Sequence, residues 1–277
     1  AVSQGGTSIL VKALQDAEPG VRRAAFVAVG GLGPGAIDAL PQMIEALRDE
    51  DIAWSAASAL ASLGSAAAPT LLQALRSSDL KVRHRLEKAL SLMRGDAVAA
   101  LRDGMNDASE EIRAVTVRIL ADMEPVPDEA LSLLVEGLRD SSPRVRGGAA
   151  YGLQRMGPRA AAAIPDLVRA LGRVEETSNT CAAAALAAIG PASAAPLVEA
   201  LAGGDARARE EARLALAWLK EAALPALLDA VRVEDVRTRR VVVELLGGAG
   251  RSAPETIAPL VHALADEDAI VREQAAW

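Results

Sequence analysis

One motif recurs along the whole chain at a nearly constant spacing. An apolar stripe begins at nine positions, which we call anchors: Val21, Ile52, Val82, Ile112, Val145, Ser178, Ala208, Thr238 and Val271. The intervals between them are 30 to 33 residues. Such a period is typical of a repeat protein, whose units are too small to bury an apolar face alone and gain a core by stacking. The sequence therefore predicts one array over residues 1–277, with about eight repeats.

Each repeat contains two short helical patterns. After the anchor Val145, apolar residues follow at Ala149, Leu153 and Met156, which places all four on one face of an α-helix. A second apolar segment ends at a leucine that lies seven residues before most anchors: Leu14, Leu75, Leu138, Leu171, Leu201 and Leu264. Ser142 before Pro143 predicts a capped helix start. Helix ends are predicted at Gly33, Gly64, Gly157, Gly190 and Gly250.

Composition limits the possible functions. The chain is 51% apolar and only 2% aromatic, with a formal net charge of −7, so its overall charge does not favour nucleic acid. The single Cys181 forms no internal disulfide, and no apolar run approaches the ~18 residues of a membrane helix. We expect a cytoplasmic protein that does not insert into membranes.

The two ends of the chain interrupt the repeat pattern. Ala1 is not a methionine, and Trp277 falls inside an unfinished helical pattern. These features predict that both ends lie within repeats of a longer protein, whose targeting segments would be missing here. Because end repeats without a polar cap expose apolar surface, end-to-end self-association of the fragment is also expected.

Two segments carry a resemblance to a known family. LVEGLRDSSPRVRGGAAYGLQRMGP (134–158) and LVHALADEDAIVREQAA (260–276) resemble HEAT repeats of the bacterial PBS-lyase type. The resemblance covers nearly the whole chain and is weakest at 172–190, where Ser178 and Asn179 replace the usual Val-Arg pair. It implies an all-α, right-handed α-solenoid whose second helices line the concave face. It also implies binding or scaffolding of proteins.

An arginine follows the anchor in most repeats, and an aspartate precedes it. A cation in the first turn of a helix opposes the helix dipole, so it needs a nearby carboxylate. We interpret these residues as a structural ladder between adjacent repeats and not as a ligand site. The ladder comprises Asp79, Arg83, Asp107, Arg113, Asp140, Arg146, Asp235 and Arg239.

The sequence offers no catalytic, metal or cofactor site. The deoxyhypusine hydroxylases, which are HEAT-like proteins, bind iron through His-Glu pairs. His84 and His262 are not followed by glutamate. The Gly-rich stretch 30–35 follows a helix and not a strand, so it does not predict a phosphate-binding loop. A chromophore- or ligand-handling role of the lyase type stays open as an alternative, although no pocket residues stand out.

A second alternative concerns nucleic acid. The segment 80–95 carries Lys81, Arg83, Arg85, Lys88 and Arg94 against Glu87, and further arginines follow up to residue 118. This basic face at 81–118 could contact phosphates. The acidic total and the scarcity of aromatic residues for base stacking make nucleic acid an unlikely partner.

The second helices carry a polar row two residues before the recurring leucine, and further polar residues three positions on. If these helices line the concave face, the row forms the floor of a groove. We therefore predict a non-enzymatic scaffold that captures a protein segment there. The candidate groove residues are Glu45, Arg48, Gln73, Arg76, Asp103, Glu136, Arg139, Arg169, Glu199, Asp229, Arg232 and His262. The pairs Glu45–Arg48, Glu136–Arg139 and Asp229–Arg232 are three residues apart, as in helical ion pairs.

Overall fold

All regular secondary structure in the described residues is helical. A computed structural model of the chain describes residues 4–77, 79–173, 181–203, 205–249 and 253–277, and no strand occurs in these ranges. The all-α class predicted from the sequence is confirmed. Ser178, the sixth anchor, lies outside the described residues, as do Asn179 and Gly250.

Two helices alternate along the chain in every repeat. The α-helices are α1 Gln4–Ala13, α2 Pro19–Gly31, α3 Leu40–Glu45, α4 Ala53–Ser62, α5 Ala68–Ser77, α6 Leu80–Leu92, α7 Gly95–Met105, α8 Glu110–Asp122, α9 Leu131–Gly137, α10 Pro143–Met156, α11 Ile164–Ala170, α12 Cys181–Ile189, α13 Ala194–Gly203, α14 Ala206–Leu219, α15 Leu224–Ala230, α16 Val236–Ala249, α17 Ile257–Ala263 and α18 Ala269–Ala276. Short 3₁₀ helices cover Gly33–Ala39, Ala46–Arg48, Gly64–Ala66, Asp128–Ala130, Gly157–Ala163, Pro191–Ser193, Lys220–Ala223 and Pro254–Thr256.

The chain divides into two compact units, Ala1–Leu133 and Leu134–Trp277. In each unit the even-numbered helices are the first helices of the repeats, and the odd-numbered ones are the second helices. Most second helices pack on the first helix that follows them, as in α5–α6 or α13–α14. Like helices also pack on each other, for example α4 on α6 in the first unit and α10 on α12 in the second. Both units are therefore stacks of helical hairpins, the arrangement of an α-solenoid.

The apolar stripe of the first helices forms the core. The residue eight positions after the anchor is at most 1% exposed in every repeat where it is described: Val29, Leu60, Leu90, Leu120, Leu153, Leu186, Leu216 and Leu246. Anchors Ile52, Val82 and Val145 are also buried, but Val21 is 43% exposed. Most recurring leucines of the second helices are buried as well. Leu264 is an exception at 46%, because the α17–α18 pair has a neighbouring hairpin on one side only.

Helix ends differ from the sequence-based expectation in two respects. The Ser142 side chain makes no capping bond to α10, and the Asp140 carboxylate instead accepts the Ser142 N–H at 2.8 Å. The predicted hydroxyl cap is therefore wrong, because an aspartate two residues earlier already turns the chain. Gly157 has the expected positive φ of 58°, yet Arg94 and Lys220 adopt φ values of 53° and 52° at the same offset from their anchors. The positive φ is thus kept without glycine at Arg94 and Lys220, but not at Glu124, which has the same offset from Ile112.

Candidate functional site

The twelve candidate groove residues lie at exposed positions in or directly after second helices. Those of the second unit, Glu136 to His262, follow successive helices α9, α11, α13, α15 and α17. Because α13 packs on both α11 and α15, the residues on these three helices belong to one continuous layer. The period of the repeat therefore produces a row of polar side chains on this layer.

The acidic members of the row differ in their contacts. Glu45 pairs with Arg48, whose Nε lies 3.1 Å from Oε1. Within the described ranges of the chain, Glu136, Glu199 and Asp229 form no ion pair. The expected Glu136–Arg139 and Asp229–Arg232 pairs are thus not formed there. These three carboxylates face solvent without a cation of their own.

Several arginines of the row reach the following repeat instead. The Arg48 Nη1 lies 2.9 Å from an oxygen of Asp79, and Arg76 pairs with Asp107. These contacts join candidate groove arginines to ladder aspartates. The sequence did not suggest that the two groups of residues would be in contact. Arg139 similarly donates to Asp166 at 2.6 Å and not to Glu136 on its own helix.

Asp166 is shared by two candidate groove arginines, Arg139 and Arg169. Burial alone would raise the pKa of its carboxyl group. The hydrogen bonds and charges of the two arginines outweigh burial and hold this pKa below its usual value of 3.8. Asp166 stays ionised at neutral pH and fixes both arginines. Arg139 thereby joins two repeats, whereas Arg169 pairs within its own helix, α11.

The ladder arginines bind backbone carbonyls in addition to acids. Arg113 Nη1 donates to the carbonyls of Asp107 and Ala108 at 3.0 and 3.3 Å, just after the C-terminus of α7. Arg146 donates to the carbonyls of Asp140 and Ser141 in the same way. The cation therefore lies near the negative end of the preceding second helix, which is a favourable position.

Arg239 has the most complete set of ladder contacts. Nη1 donates to the carbonyls of Val233 and Glu234 at 3.0 and 2.7 Å. Nε donates to Asp266 at 3.0 Å, and Nη2 donates to Glu267 at 3.0 Å. Its side chain is only 9% exposed. This arginine joins its own turn to the turn of the following repeat, 27 residues on.

The ladder aspartates cap or turn the chain at helix starts. Asp79 accepts the Val82 N–H at 3.0 Å, and this bond is the main reason why the pKa of Asp79 lies below its usual value. Asp235 accepts both the N–H and the hydroxyl of Thr238, each at 2.8 Å, which lowers its pKa in the same way. Asp107 accepts the Ser109 N–H at 2.8 Å.

Acids of adjacent repeats occupy much of the basic face at 81–118. Lys81 pairs with Glu50, and Arg83 pairs with Glu111. Arg85 donates to the carbonyl of Leu47, and Arg118 donates to Glu87 at 2.6 Å. These cations connect repeats and are not an open phosphate-binding strip.

The histidines and the cysteine are not brought together. His84 is exposed and lies 3.7 Å from a Glu87 oxygen, and His262 is exposed on α17. Cys181 is half-buried at the start of α12. No group of three or more potential metal-binding side chains occurs in the part of the chain that the structure describes.

Large apolar side chains are exposed at several positions. Trp54 is 65% exposed, and the Lys88 ammonium lies 6.0 Å from its ring centre, at the outer limit of a cation–π contact. Ile257, Val261 and Leu264 form an exposed stripe along α17. This stripe is the kind of surface on which end-to-end self-association would depend, and that association stays a prediction.

The helices of this protein are short. Among the described residues, no single helix is long and apolar enough to cross a membrane. Cys181–Ile189 and Pro191–Gly203 meet these criteria only when taken together, and they are bent by 120° relative to each other.

Glu211 is a buried acid that sequence reasoning missed. It is 4% exposed on α14, and Oε2 accepts the Gly172 N–H at 3.1 Å. Oε1 has no hydrogen-bond partner among the described residues, and the nearest cation is Arg207 Nε at 3.7 Å. Burial therefore raises the pKa of Glu211 above its usual 4.5, although the Gly172 N–H and Arg207 oppose the shift. Its position three residues after an anchor was the only signal in the sequence.

Replacing Glu211 by glutamine is expected to stabilise the protein at neutral pH. When folding raises the pKa of a carboxyl group, the protonated group stabilises the folded state. This contribution is complete at pH values below the pKa of the unfolded state, and it is lost as the pH rises through the pKa of the folded state. Glu211→Gln should therefore gain on the order of 1 kcal/mol at pH 7 and nothing below pH 4. Urea unfolding across this pH range measures the difference.

Glu210 provides the matched control for that experiment. The hydrogen bonds that Arg213 donates to the Glu210 carboxylate lower the pKa of Glu210, so Glu210→Gln should not gain stability at pH 7. If the unfolding free energies of Glu211→Gln and of the unaltered protein changed with pH in the same way, the charge of Glu211 would not destabilise the protein.

The family comparison agrees with the hairpin architecture. The family model of HEAT repeats matches residues 7–91, 98–187 and 194–277, and no curated protein matches the chain. One similar solved structure is an engineered protein with 21% identity, aligned over 98% of this chain and 87% of that chain with a TM-score of 0.42. Yeast importin-β (Kap95p) has 14% identity over 99% of this chain and 44% of its own, with a TM-score of 0.46. The chain spans less than half the length of that importin-β.

Proposed function

Because the chain belongs to the HEAT-repeat family, we propose that it is a non-enzymatic protein-binding scaffold whose second helices capture a segment rich in basic residues. The observation that supports this proposal is the contrast between two classes of acid. Acids in turns or at helix starts, such as Asp79, Asp166 and Asp266, are engaged by arginines. Glu136, Glu199 and Asp229 project from the second helices without a described ion pair.

Unpaired surface acids favour a cationic partner. Exposed carboxylates at regular intervals contribute mainly to the rate and the specificity of association, since each exposed charge pair gives a modest energy. Several such pairs acting together can select one segment. Structural ion pairs hold four arginines of the row, Arg48, Arg76, Arg139 and Arg169, so these are less available to an acidic partner.

The repeat spacing suggests a pattern for the bound segment. Packed helices lie about 10 Å apart, and an extended chain advances about 3.4 Å per residue, so one repeat corresponds to roughly three ligand residues. The positions Glu136, Arg169, Glu199 and Asp229 would then match a peptide with Lys, a neutral residue, Lys and Lys at every third position, because Asp166 already pairs with Arg169. A helical ligand would not keep this register.

The test is the affinity of the protein for that peptide, measured by fluorescence anisotropy at low ionic strength. Glu136→Lys/Glu199→Lys/Asp229→Lys should weaken binding at least tenfold, while circular dichroism stays unchanged. The control variant Glu221→Lys/Glu234→Lys/Glu255→Lys has the same net charge and alters exposed acids outside the row. Equal losses in both variants would indicate attraction by net charge and reject a specific surface, as would undiminished binding by the first variant.

The alternative functions predict different ligands. A chromophore-handling protein would retain a coloured ligand on purification. A nucleic-acid-binding protein would be retained on heparin in a salt-dependent way and released by neutralising Arg83, Arg85 and Lys88. Because Arg83 and Arg85 already have protein partners, the nucleic-acid alternative has weaker support than the scaffold.

A further inference from the structure

The first and the last hairpin expose opposite halves of the surface that joins one repeat to the next. In the first hairpin, α1–α2, the anchor Val21 is 43% exposed, whereas the recurring leucine Leu14 is buried. In the last hairpin, α17–α18, the anchor Val271 is buried, whereas the recurring leucine Leu264 is 46% exposed. The anchor side of a hairpin therefore faces the preceding repeat, and the leucine side faces the following repeat.

The leucine side of the last hairpin carries further apolar residues. Ile257 and Val261 on α17 are both more than half exposed. Their counterparts in earlier repeats, Leu224 for Ile257 and Val198 for Val261, are buried. Val198 lies on α13, which packs on both α15 and α16 of the following hairpin. The exposed side of α17 is therefore the kind of surface on which another hairpin packs.

Ladder arginines make a recurring contact across the junction between repeats. Arg22 Nη1 donates to two carbonyls of its own turn, and Nη2 lies 2.8 Å from Asp49 of the following repeat. Arg239 does the same, with its Nε 3.0 Å from Asp266. In both pairs the aspartate follows the arginine by 27 residues. The same pair of charges therefore fixes the register of two different junctions.

The first and the last hairpin each have one half of this contact. Arg272 on α18 donates through Nη1 to two carbonyls of its own turn, but no carboxylate in the described ranges pairs with it. Asp16, before α2, accepts the Glu18 N–H at 2.9 Å, and no described cation pairs with it. Both side chains are exposed. The leucine side of the last hairpin thus offers a cation, and the anchor side of the first hairpin offers the matching anion.

We propose that a second copy of this chain binds to the last hairpin, with its own α1–α2 hairpin stacked on α17–α18 of the first copy. Leu264 of one copy covers Val21 of the other, and Arg272 of the first copy pairs with Asp16 of the second. The apolar contact provides most of the attraction, and the ion pair fixes the register. The contact repeats between two molecules the junction that already joins repeats within one.

The two faces of this contact differ from each other, so the contact is heterologous. A pair of molecules leaves one free face at each end, and a third copy can add there. Assemblies therefore grow with concentration instead of stopping at a dimer. Glu136, Glu199 and Asp229 lie on interior helices, so self-association can be tested separately from the capture of a basic segment.

The test is sedimentation equilibrium of the whole chain over a range of concentrations. The average mass of the unaltered protein should rise past that of a dimer. Asp16→Arg and Arg272→Asp should each weaken association about tenfold or more, because like charges then meet at the junction. The double variant Asp16→Arg/Arg272→Asp should recover association. An equimolar mixture of the two single variants should recover it too, because every junction between unlike molecules again joins opposite charges.

Two further variants separate this contact from attraction by net charge. Glu221→Arg makes the same change of charge as Asp16→Arg on an exposed side chain outside both faces, and it should associate like the unaltered protein. Val261→Lys should weaken association without altering the charge pair. Circular dichroism should stay unchanged in all these variants, because each substituted side chain is exposed.

Three results would overturn the proposal. The first is a monomeric unaltered protein at about 1 mM, where even a millimolar interface would be largely occupied. That result would assign the α17 face to another occupant, such as a further repeat of a longer chain. The second is an average mass that levels off at two copies. The third is a double variant that associates no better than the single variants.

Discussion

Replacing Leu90 by alanine is expected to lower the free energy of unfolding by about 3 kcal/mol. Leu90 is completely buried on α6, eight positions after the anchor Val82. Truncation removes apolar area from the core and leaves a cavity, because α4 and α8 pack on α6 from both sides and prevent collapse. The loss should appear as a lower urea midpoint for the first unit.

The same helix provides the control. Leu80, the first residue of α6, is 79% exposed, so Leu80→Ala should change the unfolding free energy by less than about 0.5 kcal/mol. Both substitutions remove the same atoms from one helix, and only burial differs. If the two variants lost similar stability, the stripe of the first helices would not be the core.

Replacing Arg239 by alanine is expected to cost about 3 kcal/mol, as for other buried ion pairs from which one partner is removed. The variant leaves Asp266 without its nearest cation and removes the donors to the carbonyls of Val233 and Glu234. Arg239 also helps to keep the pKa of Asp266 low, against a burial that would raise it. The variant should therefore also unfold at a higher pH on acid titration.

Arg237, two residues earlier on α16, is the control for Arg239. It is exposed and has no described ion pair, so Arg237→Ala should stay within about 0.5 kcal/mol of the unaltered protein. Arg239→Lys keeps the charge but loses the forked geometry, and we expect an intermediate loss. A neutral effect of Arg239→Ala would mean that solvent replaces its contacts without cost.

The period of the sequence was sufficient to predict the elements and their buried face. Leu153 and Leu186 are both buried at the same offset, even though Leu186 follows an anchor that itself departs from the pattern. Hydrophobic periodicity is strong evidence because it recurs in every repeat. A repeat that departs from the pattern at one position can therefore still be aligned with the others. Val21 and Leu264 are exposed, contrary to the pattern, because neighbouring hairpins cover them incompletely.

Contacts between repeats were not predictable in the same way. Arg139 lies three residues after Glu136, which favours a local pair, yet it binds Asp166 of the next repeat. Which carboxylate Arg139 binds depends on the distance between neighbouring helices, and that distance cannot be predicted from a local sequence pattern. Glu211 was missed because an acid on a helix is usually exposed.

The inter-repeat ion pairs make the order of the repeats matter. Arg213 on α14 binds Glu244 on α16, six residues after the anchor Thr238. The other repeats have no acid at this offset, where the residues are Val27, Ser58, Lys88, Arg118, Tyr151, Ala184, Leu214 and Trp277. Exchanging the repeat of α16 for that of α6 would place Lys88 beside Arg213. A shuffled or duplicated array would therefore keep its apolar core but bring mismatched charges together, so the repeats are similar in shape without being interchangeable parts.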